Sequence, residues 1–453
     1  MPAMRESVRG RETVVVALAC IGALTIIGFC QDRYGLSGLA VDRDAVAGWL
    51  AGDGLYAYRS PVTRLGTDAS PVTALLLAPV AGLPLPVLGW LIGLGGVAAL
   101  LLALLALAGP VARRYGRPRG PAVLIAAALA LTTEPVRAAL GLGHLDLILF
   151  GLVVADIVAL RRAAWARSRA AWWPGRPASQ PIRGSAATGA WSSGRFLADP
   201  LRRGWATGAW AGVGTGIATA LAVGPVLFVA YLMVSRQWRA ALTALGTAAT
   251  LLLGAVLFAP SATATWAGTV LPQVDRGGPI DSPANQSLAG VLTRLYDSAG
   301  TPVLVWLSFA VLLLAVGLIR ARSAHADGDE IAAFTLVGLA GAAIGPVTRT
   351  PELIWLLPAV LILVNAAARR RVVARRPRPS RFPGAGRAAG AAVVVVLLML
   401  GPSWTPAGNA YAFAVIILLN ALPWRPGVAP ALLVYRRPAP ARRVPAIPGP
   451  RGS

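Results

Sequence analysis

Long apolar runs alternate with short arginine-rich segments along this chain. An α-helix of about 20 apolar residues crosses a bilayer. By this measure the pattern predicts spans at 13–30, 86–109, 121–134, 145–160, 238–259, 302–319, 331–347, 353–368, 388–403 and 409–423. A longer apolar stretch occupies 207–234. We therefore expect an all-α polytopic membrane protein with about 10–12 transmembrane helices.

The stretch 207–234 decides the orientation of everything that follows it. Arginines favour the cytoplasmic ends of spans. A single crossing here would put Arg236 and Arg239 outside and would make every later loop break this rule. Two half-helices that break at Gly224 and Pro225 would return the chain to the cytoplasm, and such broken stretches occur where they line a protein-enclosed cavity. The charge pattern predicts this broken pair, with cytoplasmic N- and C-termini.

The arginine pattern also predicts the domain organisation. It indicates a single integral-membrane domain over 1–425, with outer loops at 31–85 and 260–301, a short outer turn at 135–144, and a cytoplasmic loop at 161–206. The cytoplasmic loop is rich in Gly, Pro, Ser and Trp, which predicts partial disorder. The Pro- and Arg-rich segment 426–453 is expected to be a disordered, basic cytoplasmic tail.

Composition supports a membrane location and limits the partners. Hydrophobic residues make up 56% of the chain and charged residues only 13%, and the net charge is +24. In a soluble protein this charge would favour nucleic acid, but here the arginines flank apolar spans. We expect contact with anionic lipids of the plasma membrane and no nucleic-acid partner. Both cysteines, Cys20 and Cys30, belong to the first span, so neither a disulfide nor a metal site is expected.

Acidic residues concentrate in one predicted outer loop. The chain has only 18 Asp and Glu, and five of them fall within 31–71: Asp32, Asp42, Asp44, Asp53 and Asp68. Asp42 and Asp44 lie two residues apart in VDRDAVAGW, a pattern that could provide a general base and a second acid for positioning substrate. The alternative is a solvated loop whose acids pair with nearby arginines, Arg33, Arg43 and Arg59.

Other polar residues are predicted near the same face of the membrane. His144 and Asp146 in GLGHLDLILF stand at the start of a span, either as functional groups or as side chains that reach the interface. Asn285 and Gln286 in SPANQSLAG offer neutral hydrogen-bonding groups that suit sugar hydroxyls. The glycine pattern GVGTG at 212–216 resembles a phosphate-binding loop, but within an apolar helix it favours close packing.

Arg349 and Glu352 stand at the mouth of the span 353–368. Arginine presents a planar fork of donors that can hold a phosphate bidentately. The alternative is that Arg349 only pairs with Glu352. The sequence supports both interpretations equally.

Taken in order, these segments resemble glycosyltransferase family 87 of actinobacteria. The resemblance rests on GDGLYAY (52–58), SPVTALLLAP (70–79), GLGHLDL (141–147), GPVLFVAYLM followed by RQWRA (to 240), NQSLAG (285–290) and GPVTRTPELIWLLP (345–358). It implies the C-type glycosyltransferase architecture and transfer of a sugar, with mannose preferred, from polyprenyl phosphate to a lipid- or glycan-linked hydroxyl. The family's first-loop catalytic Asp corresponds to Asp42 or Asp44, and Asp42 is preferred because it follows an apolar residue.

The resemblance also implies a substrate-binding set and exposes departures from the family. The residues expected to contact substrate are Tyr56, Arg59, His144, Asp146, Asn285, Gln286, Arg349 and Glu352. Ala222 stands where the family commonly has Lys, and we hypothesise that Arg349 replaces the lost positive charge. Neither a cofactor nor a metal is expected. A lipid or solute transporter and a catalytically inactive scaffold remain alternative functions.

Overall fold

The computed structural model describes residues 2–62, 64–172, 204, 206–273, 275–276, 278–296, 302–374, 384–401 and 409–424. Every regular element in this part of the chain is helical. The helices are α1 (Pro2–Tyr34), α2 (Ser37–Leu50), α3 (Pro71–Leu77), α4 (Leu85–Arg114), α5 (Arg119–Thr132), α6 (Glu134–Leu142), α7 (Asp146–Trp172), α8 (Val213–Leu221), α9 (Val226–Val234), α10 (Trp238–Phe258), α11 (Pro260–Thr265), α12 (Leu288–Leu295), α13 (Val303–Ala326), α14 (Glu330–Ile344), α15 (Leu356–Ala374), α16 (Gly384–Leu400) and α17 (Ala410–Ala421). Short 3₁₀ turns cover Ala78–Val80 and Thr350–Trp355, and a π turn covers Trp266–Val270.

Several helices have the length and composition of membrane spans. Among the described residues, four helical segments satisfy both criteria alone: Leu85–Arg114, Trp238–Phe258, Val303–Ala326 and Thr350–Arg369. Helices α5 and α6 satisfy them together as a pair bent by 70°. The described chain is therefore an all-α polytopic membrane protein, as expected. The figure of 10–12 crossings stays a prediction, because α14, α16 and α17 are apolar but shorter.

The helix ends meet in two groups. At one end, Arg349 contacts Asp68 at 2.9 Å and Arg276 donates to the backbone of Thr67, which joins the predicted outer loops. At the other end, His325 Nδ1 lies 2.6 Å from Glu330 Oε1. Helix α14 connects the two groups, since it begins at Glu330 and ends shortly before Arg349. The assignment of 31–85 and 260–301 as outer loops, and of the opposite face to the cytoplasm, stays a prediction.

The predicted break in 207–234 is confirmed. Helix α8 ends at Leu221, α9 begins at Val226, and Ala222 between them has an extended backbone. The carboxylate of Asp156 accepts hydrogen bonds from the first backbone N–H groups of α8, of which the bond from Thr215 measures 2.6 Å. Such a carboxylate satisfies donors that a helix N-terminus leaves unpaired.

The GVGTG glycines pack against neighbouring helices, as expected from their apolar setting. A Cβ atom on Gly216 would lie 2.5 Å from the carbonyl oxygen of Ala244 in α10. A Cβ atom on Gly214 would overlap the carbonyl of Leu152 in α7. These glycines allow three helix backbones to approach closely, which is the role of small residues in membrane helix packing.

Gly214→Ala should therefore destabilise the protein, because α7 and α8 must separate to admit the methyl group. We expect a loss of about 1–3 kcal/mol, the usual range for overpacking a core. The matched control is Gly246→Ala in α10, where a Cβ atom meets nothing within 4 Å. Thermal unfolding of the two purified variants in the same detergent measures the difference, and equal midpoints would contradict the packing role.

Two sequence expectations need correction. The segment 135–144 is not a short turn, because Glu134–Leu142 forms helix α6. Thr133 has an extended backbone, and Pro135 in the first turn of α6 starts a new helix in a new direction. The loop expected at 161–206 begins later, since α7 continues to Trp172. The rest of that loop over 173–203 and the tail 426–453 lie outside the described residues.

Candidate active site

Helix α2 carries Asp42 and Asp44. Gly35 and Leu36 both have positive φ angles, 68° and 51°, and turn the chain from α1 into α2. Successive residues of an α-helix are rotated by about 100°, so two acids at i and i+2 project roughly 200° apart. Asp42 and Asp44 therefore project to nearly opposite sides of α2 and occupy different environments.

Asp42 is half-buried beside the segment that follows α2. The Thr67 hydroxyl donates a hydrogen bond of 2.7 Å to Asp42 Oδ1. Burial raises the pKa of Asp42 to about 6, and the charge of Asp68 adds to this rise. The Thr67 hydrogen bond and the positive charge of Arg349 oppose the rise. A carboxylate with this pKa is ionised at neutral pH and is a stronger base than an ordinary Asp.

Asp44 has the setting of a surface ion pair. Arg43 Nη1 lies 3.0 Å from Asp44 Oδ1, and the Tyr58 hydroxyl donates to Asp44 Oδ2 at 3.3 Å. The Asp44 side chain is 40% exposed. These contacts favour the interpretation of Asp44 as a solvated acid with an arginine partner.

Arg349 lies among carboxylates near Asp42. Its Nη2 atom is 2.9 Å from Asp68 Oδ2, and its Nε atom is 3.6 Å from Glu352 Oε1. Burial lowers the pKa of Arg349, but Asp68, Glu352, Asp146 and Asp42 together raise it above its usual range. The guanidinium is therefore a permanent positive charge that balances the local acids.

His144 contacts the first turn of α2. Its Nε2 atom would lie 2.7 Å from a Cβ atom on Gly38, so the missing side chain at Gly38 makes room for the imidazole. Burial lowers the pKa of His144 to about 3, with a further decrease from Arg349, and the ring is neutral at neutral pH. His144 Nδ1 lies 4.0 Å from Asp146 Oδ2. Both residues belong to the surroundings of Arg349, and substrate binding by them stays a prediction.

Asn285 and Gln286 are buried in the protein. Asn285 Nδ2 donates to the carbonyls of Ile280 and Pro346 at 2.9 and 3.0 Å, and its Oδ1 accepts from the backbone of Ser287 and Thr348. Gln286 donates its backbone N–H to Thr348. These bonds fix the position of the turn that carries Arg349. Sugar binding by the two amides stays a prediction, and for Asn285 it would require the present bonds to break.

Sequence reasoning missed Arg276, which joins the two predicted outer loops. The residue is 7% exposed, and its side chain donates to the carbonyl of Thr67 at 2.7 Å and to the carbonyl of Tyr56 at 2.5 Å. The Tyr56 hydroxyl donates to the Ala69 carbonyl at 2.9 Å. Arg59 is exposed on the same segment. No sequence signal marks Arg276, because the partners that join it to the other segment are backbone atoms more than 200 residues away, and its remaining partner is the nearby side chain of Gln273.

The described site favours acid–base chemistry with a charged partner. In the part of the chain that the structure describes, no three His, Cys, Asp or Glu side chains are grouped to hold a metal ion. What the site does contain is a group of half-buried carboxylates around Arg349, namely Asp42, Asp146 and Glu352, of which Asp42 accepts a hydrogen bond from a hydroxyl. This arrangement can accept a proton and can stabilise a negative charge.

Comparison with known proteins identifies relatives that are mannosyltransferases. A polyprenol-phosphate-mannose-dependent alpha-(1-2)-phosphatidylinositol mannoside mannosyltransferase of Mycobacterium tuberculosis is 28% identical over 344 residues, covering 72% of this chain and 69% of the relative. Its counterpart in Mycolicibacterium smegmatis is 24% identical over 404 residues, covering 82% and 80%. A pentamannoside mannosyltransferase of Mycobacterium tuberculosis is 29% identical over 169 residues, covering 36% and 38%. No solved structure matches the chain.

The family comparison gives the same result. The model of glycosyltransferase family 87 matches residues 70–346, which is more than half of the chain. The matched region includes α3 to α14 and reaches the turn before Arg349. With its all-helical membrane fold, this chain is a membrane glycosyltransferase that belongs to glycosyltransferase family 87.

Proposed function

We propose that this protein transfers mannose from a polyprenyl-phosphate donor to a hydroxyl of a lipid-linked acceptor at the extracytoplasmic face of the plasma membrane. The donor and the glycolipid acceptor follow from the names of its two longest-matching relatives, which use polyprenol-phosphate-mannose and phosphatidylinositol mannosides. Asp42 acts as the general base. Arg349 compensates charge at the site.

The proposed reaction is a single displacement. The Asp42 carboxylate takes the proton from the acceptor hydroxyl as that oxygen attacks the anomeric carbon of mannose. The bond from this carbon to the phosphate oxygen breaks, and its electron pair leaves with the polyprenyl phosphate. Attack opposite to the leaving group inverts the configuration at the anomeric carbon. A general base of this kind contributes about 10²- to 10⁴-fold to a reaction rate.

One observation supports the choice of base most directly. Asp42 is half-buried, has a pKa raised to about 6, and accepts a hydrogen bond from Thr67 that fixes one carboxylate oxygen. Asp44, two residues later, is exposed and paired with Arg43. The environment of Asp42 suits a base that is ionised but still accepts a proton at neutral pH.

The proposed function is tested by a transfer assay on the purified full chain. The protein is incubated with radiolabelled polyprenyl-phosphate-mannose and phosphatidylinositol mannosides, and the lipids are separated and counted. We expect label in a glycolipid that is larger by one mannose. Reactions without acceptor measure simple donor hydrolysis. No transfer by the wild-type protein would favour the transporter or the inactive scaffold.

The proposed orientation predicts a labelling pattern in intact cells. Val62 is 89% exposed in the segment 31–85, and Arg117 is exposed beyond the opposite end of α4. A membrane-impermeant maleimide should label Val62→Cys in intact cells and Arg117→Cys only after lysis. The wild-type chain, whose Cys30 is buried and whose Cys20 lies in the first span, is the blank. The opposite pattern would reverse the orientation.

Thr67→Val should move the pH dependence of transfer. The base must be deprotonated, so the rate falls as the pH drops through the pKa of Asp42, about 6. The Thr67 hydroxyl stabilises the ionised carboxylate, and its removal raises this pKa. The acidic limb of the pH profile of kcat/KM should therefore shift to higher pH in Thr67→Val. In Thr67→Ser, which keeps the hydroxyl, the limb should lie at the wild-type pH. An unchanged limb in Thr67→Val would contradict the assignment of the limb to Asp42.

A further inference from the structure

A cleft with a volume of about 440 Å³ lies between the segments 31–85 and 260–301. Arg59, Arg64 and Leu65 line one side, and Gln273, Arg276 and Pro279 line the other. The cleft also borders Asp275. Three arginines and one acid leave its described lining with an excess of positive charge.

Two arginines of this cleft, Arg59 and Arg276, lie close together. A Cβ atom on Gly66 would lie 3.1 Å from Arg276 Nη2 and 3.3 Å from Arg59 Cδ, so the missing side chain at position 66 lets both arginines approach. Burial lowers the pKa of Arg276, and the positive charge of Arg59 lowers it further. Tyr56 and Asp68 partly offset this effect on the pKa of Arg276, and an anion bound in the cleft would reduce the repulsion between the two arginines further.

The position of the cleft links it to the candidate active site. Arg276 donates to the carbonyl of Thr67, and the hydroxyl of the same Thr67 donates to Asp42. One residue therefore lies between the arginine cleft and the proposed base. Among the described residues, the ion pairs of the protein include neither Arg59 nor Arg64.

We propose that this cleft binds a phosphate group of a substrate through the exposed side chains of Arg59 and Arg64, with the buried charge of Arg276 behind them. Guanidinium groups match phosphate oxygens in charge and geometry, and each can donate two parallel hydrogen bonds. The identity of the phosphate rests on the proposed function. The headgroup phosphodiester of the lipid acceptor is one source, and a free phosphate is the other.

Binding of two soluble probes to the full chain in detergent tests this site. Glycerophosphoinositol represents the lipid headgroup, and inorganic phosphate represents the free anion. Soluble probes are needed because a chain with a net charge of +24 attracts any anionic membrane surface. Arg59→Gln and Arg64→Gln should each weaken probe binding about tenfold, the effect of one charge-assisted hydrogen bond. Arg33→Gln removes an exposed arginine of the segment 31–85 outside the cleft and should bind like wild type.

The outcomes separate this site from the catalytic proposal. Tighter binding of glycerophosphoinositol than of inorganic phosphate, with both weakened by Arg59→Gln, assigns the lipid headgroup. The opposite order assigns a free phosphate. Equal dissociation constants for wild type, Arg59→Gln and Arg64→Gln would overturn the site. Binding requires no donor and should persist in Asp42→Asn, so it stands even if the transfer assay fails.

Discussion

Asp42→Asn should lower the kcat of mannosyl transfer by about 10³-fold, whereas Asp44→Asn should keep most of the wild-type rate. A general base contributes about 10²- to 10⁴-fold, and an amide cannot accept the proton. Asn is nearly isosteric with Asp, and its side-chain oxygen can still accept the hydrogen bond from Thr67 Oγ1. We expect the KM for the donor to change little, because the lost interaction operates in the transition state.

Asp44→Asn is a matched control because it makes the same chemical change two residues away on the same helix. It removes a charge from a side chain that is 40% exposed and paired with Arg43, and such surface pairs contribute little stability. Initial rates at saturating donor, together with thermal midpoints of both variants, separate catalysis from folding. Equal rates for wild type and Asp42→Asn would remove Asp42 as the base. A large loss in Asp44→Asn alone would transfer the role to Asp44.

The comparison of these two acids shows what sequence can and cannot predict. The concentration of acids in 31–71 singled out this segment of a predominantly basic chain as the candidate site. The sequence did not separate Asp42 from Asp44, because their environments depend on α2 being helical and on which of its faces is covered. Thr67 covers one face of α2 and Tyr58 lies on the other. Both residues belong to the irregular segment between α2 and α3, whose path has no periodic pattern that the sequence could reveal.

The bilayer explains why most of the fold could be predicted. Spans require long apolar runs, and arginines mark their cytoplasmic ends, so length and charge predict most helix positions. The same constraint predicted the break between α8 and α9. Helix α6 was missed because Glu134 and Arg137 interrupt its apolar pattern. In the structure Arg137 pairs with Glu134 at 2.8 Å, and the Tyr34 hydroxyl donates to Glu134 at 2.6 Å.

The contacts that assemble the candidate site lie far apart in sequence. Arg349 meets Asp68 across 281 residues, and Arg276 meets Thr67 across 209 residues. Neither pair has a spacing that a helix or a turn imposes, so no local pattern indicates it. The alternative in which Arg349 only pairs with Glu352 corresponds to the more distant of its two ion pairs, at 3.6 Å, and the sequence did not indicate the closer pair with Asp68.

Arg349→Gln should lower kcat/KM for transfer by about 10²-fold. The substitution removes a permanent positive charge from between Asp68 and Glu352, close to Asp42. The charge of Arg349 opposes the rise in the pKa of Asp42, so its loss raises that pKa and moves the acidic limb to higher pH. If the guanidinium also holds the donor phosphate, donor binding weakens in addition. Loss of one such electrostatic contact to a developing charge costs about 10²- to 10³-fold.

Arg349→Lys distinguishes the two roles of this charge. Lysine keeps the positive charge but cannot form the planar, bidentate contact with a phosphate. If Arg349 only balances the charge of the acids, Arg349→Lys should have the wild-type acidic limb of kcat/KM and the wild-type KM for the donor, unlike Arg349→Gln. If Arg349 clamps the donor phosphate, Lys should restore the limb while the KM stays raised. Arg349→Gln with unchanged donor binding would exclude the clamp, and an unchanged acidic limb would exclude electrostatic control of Asp42 by this arginine.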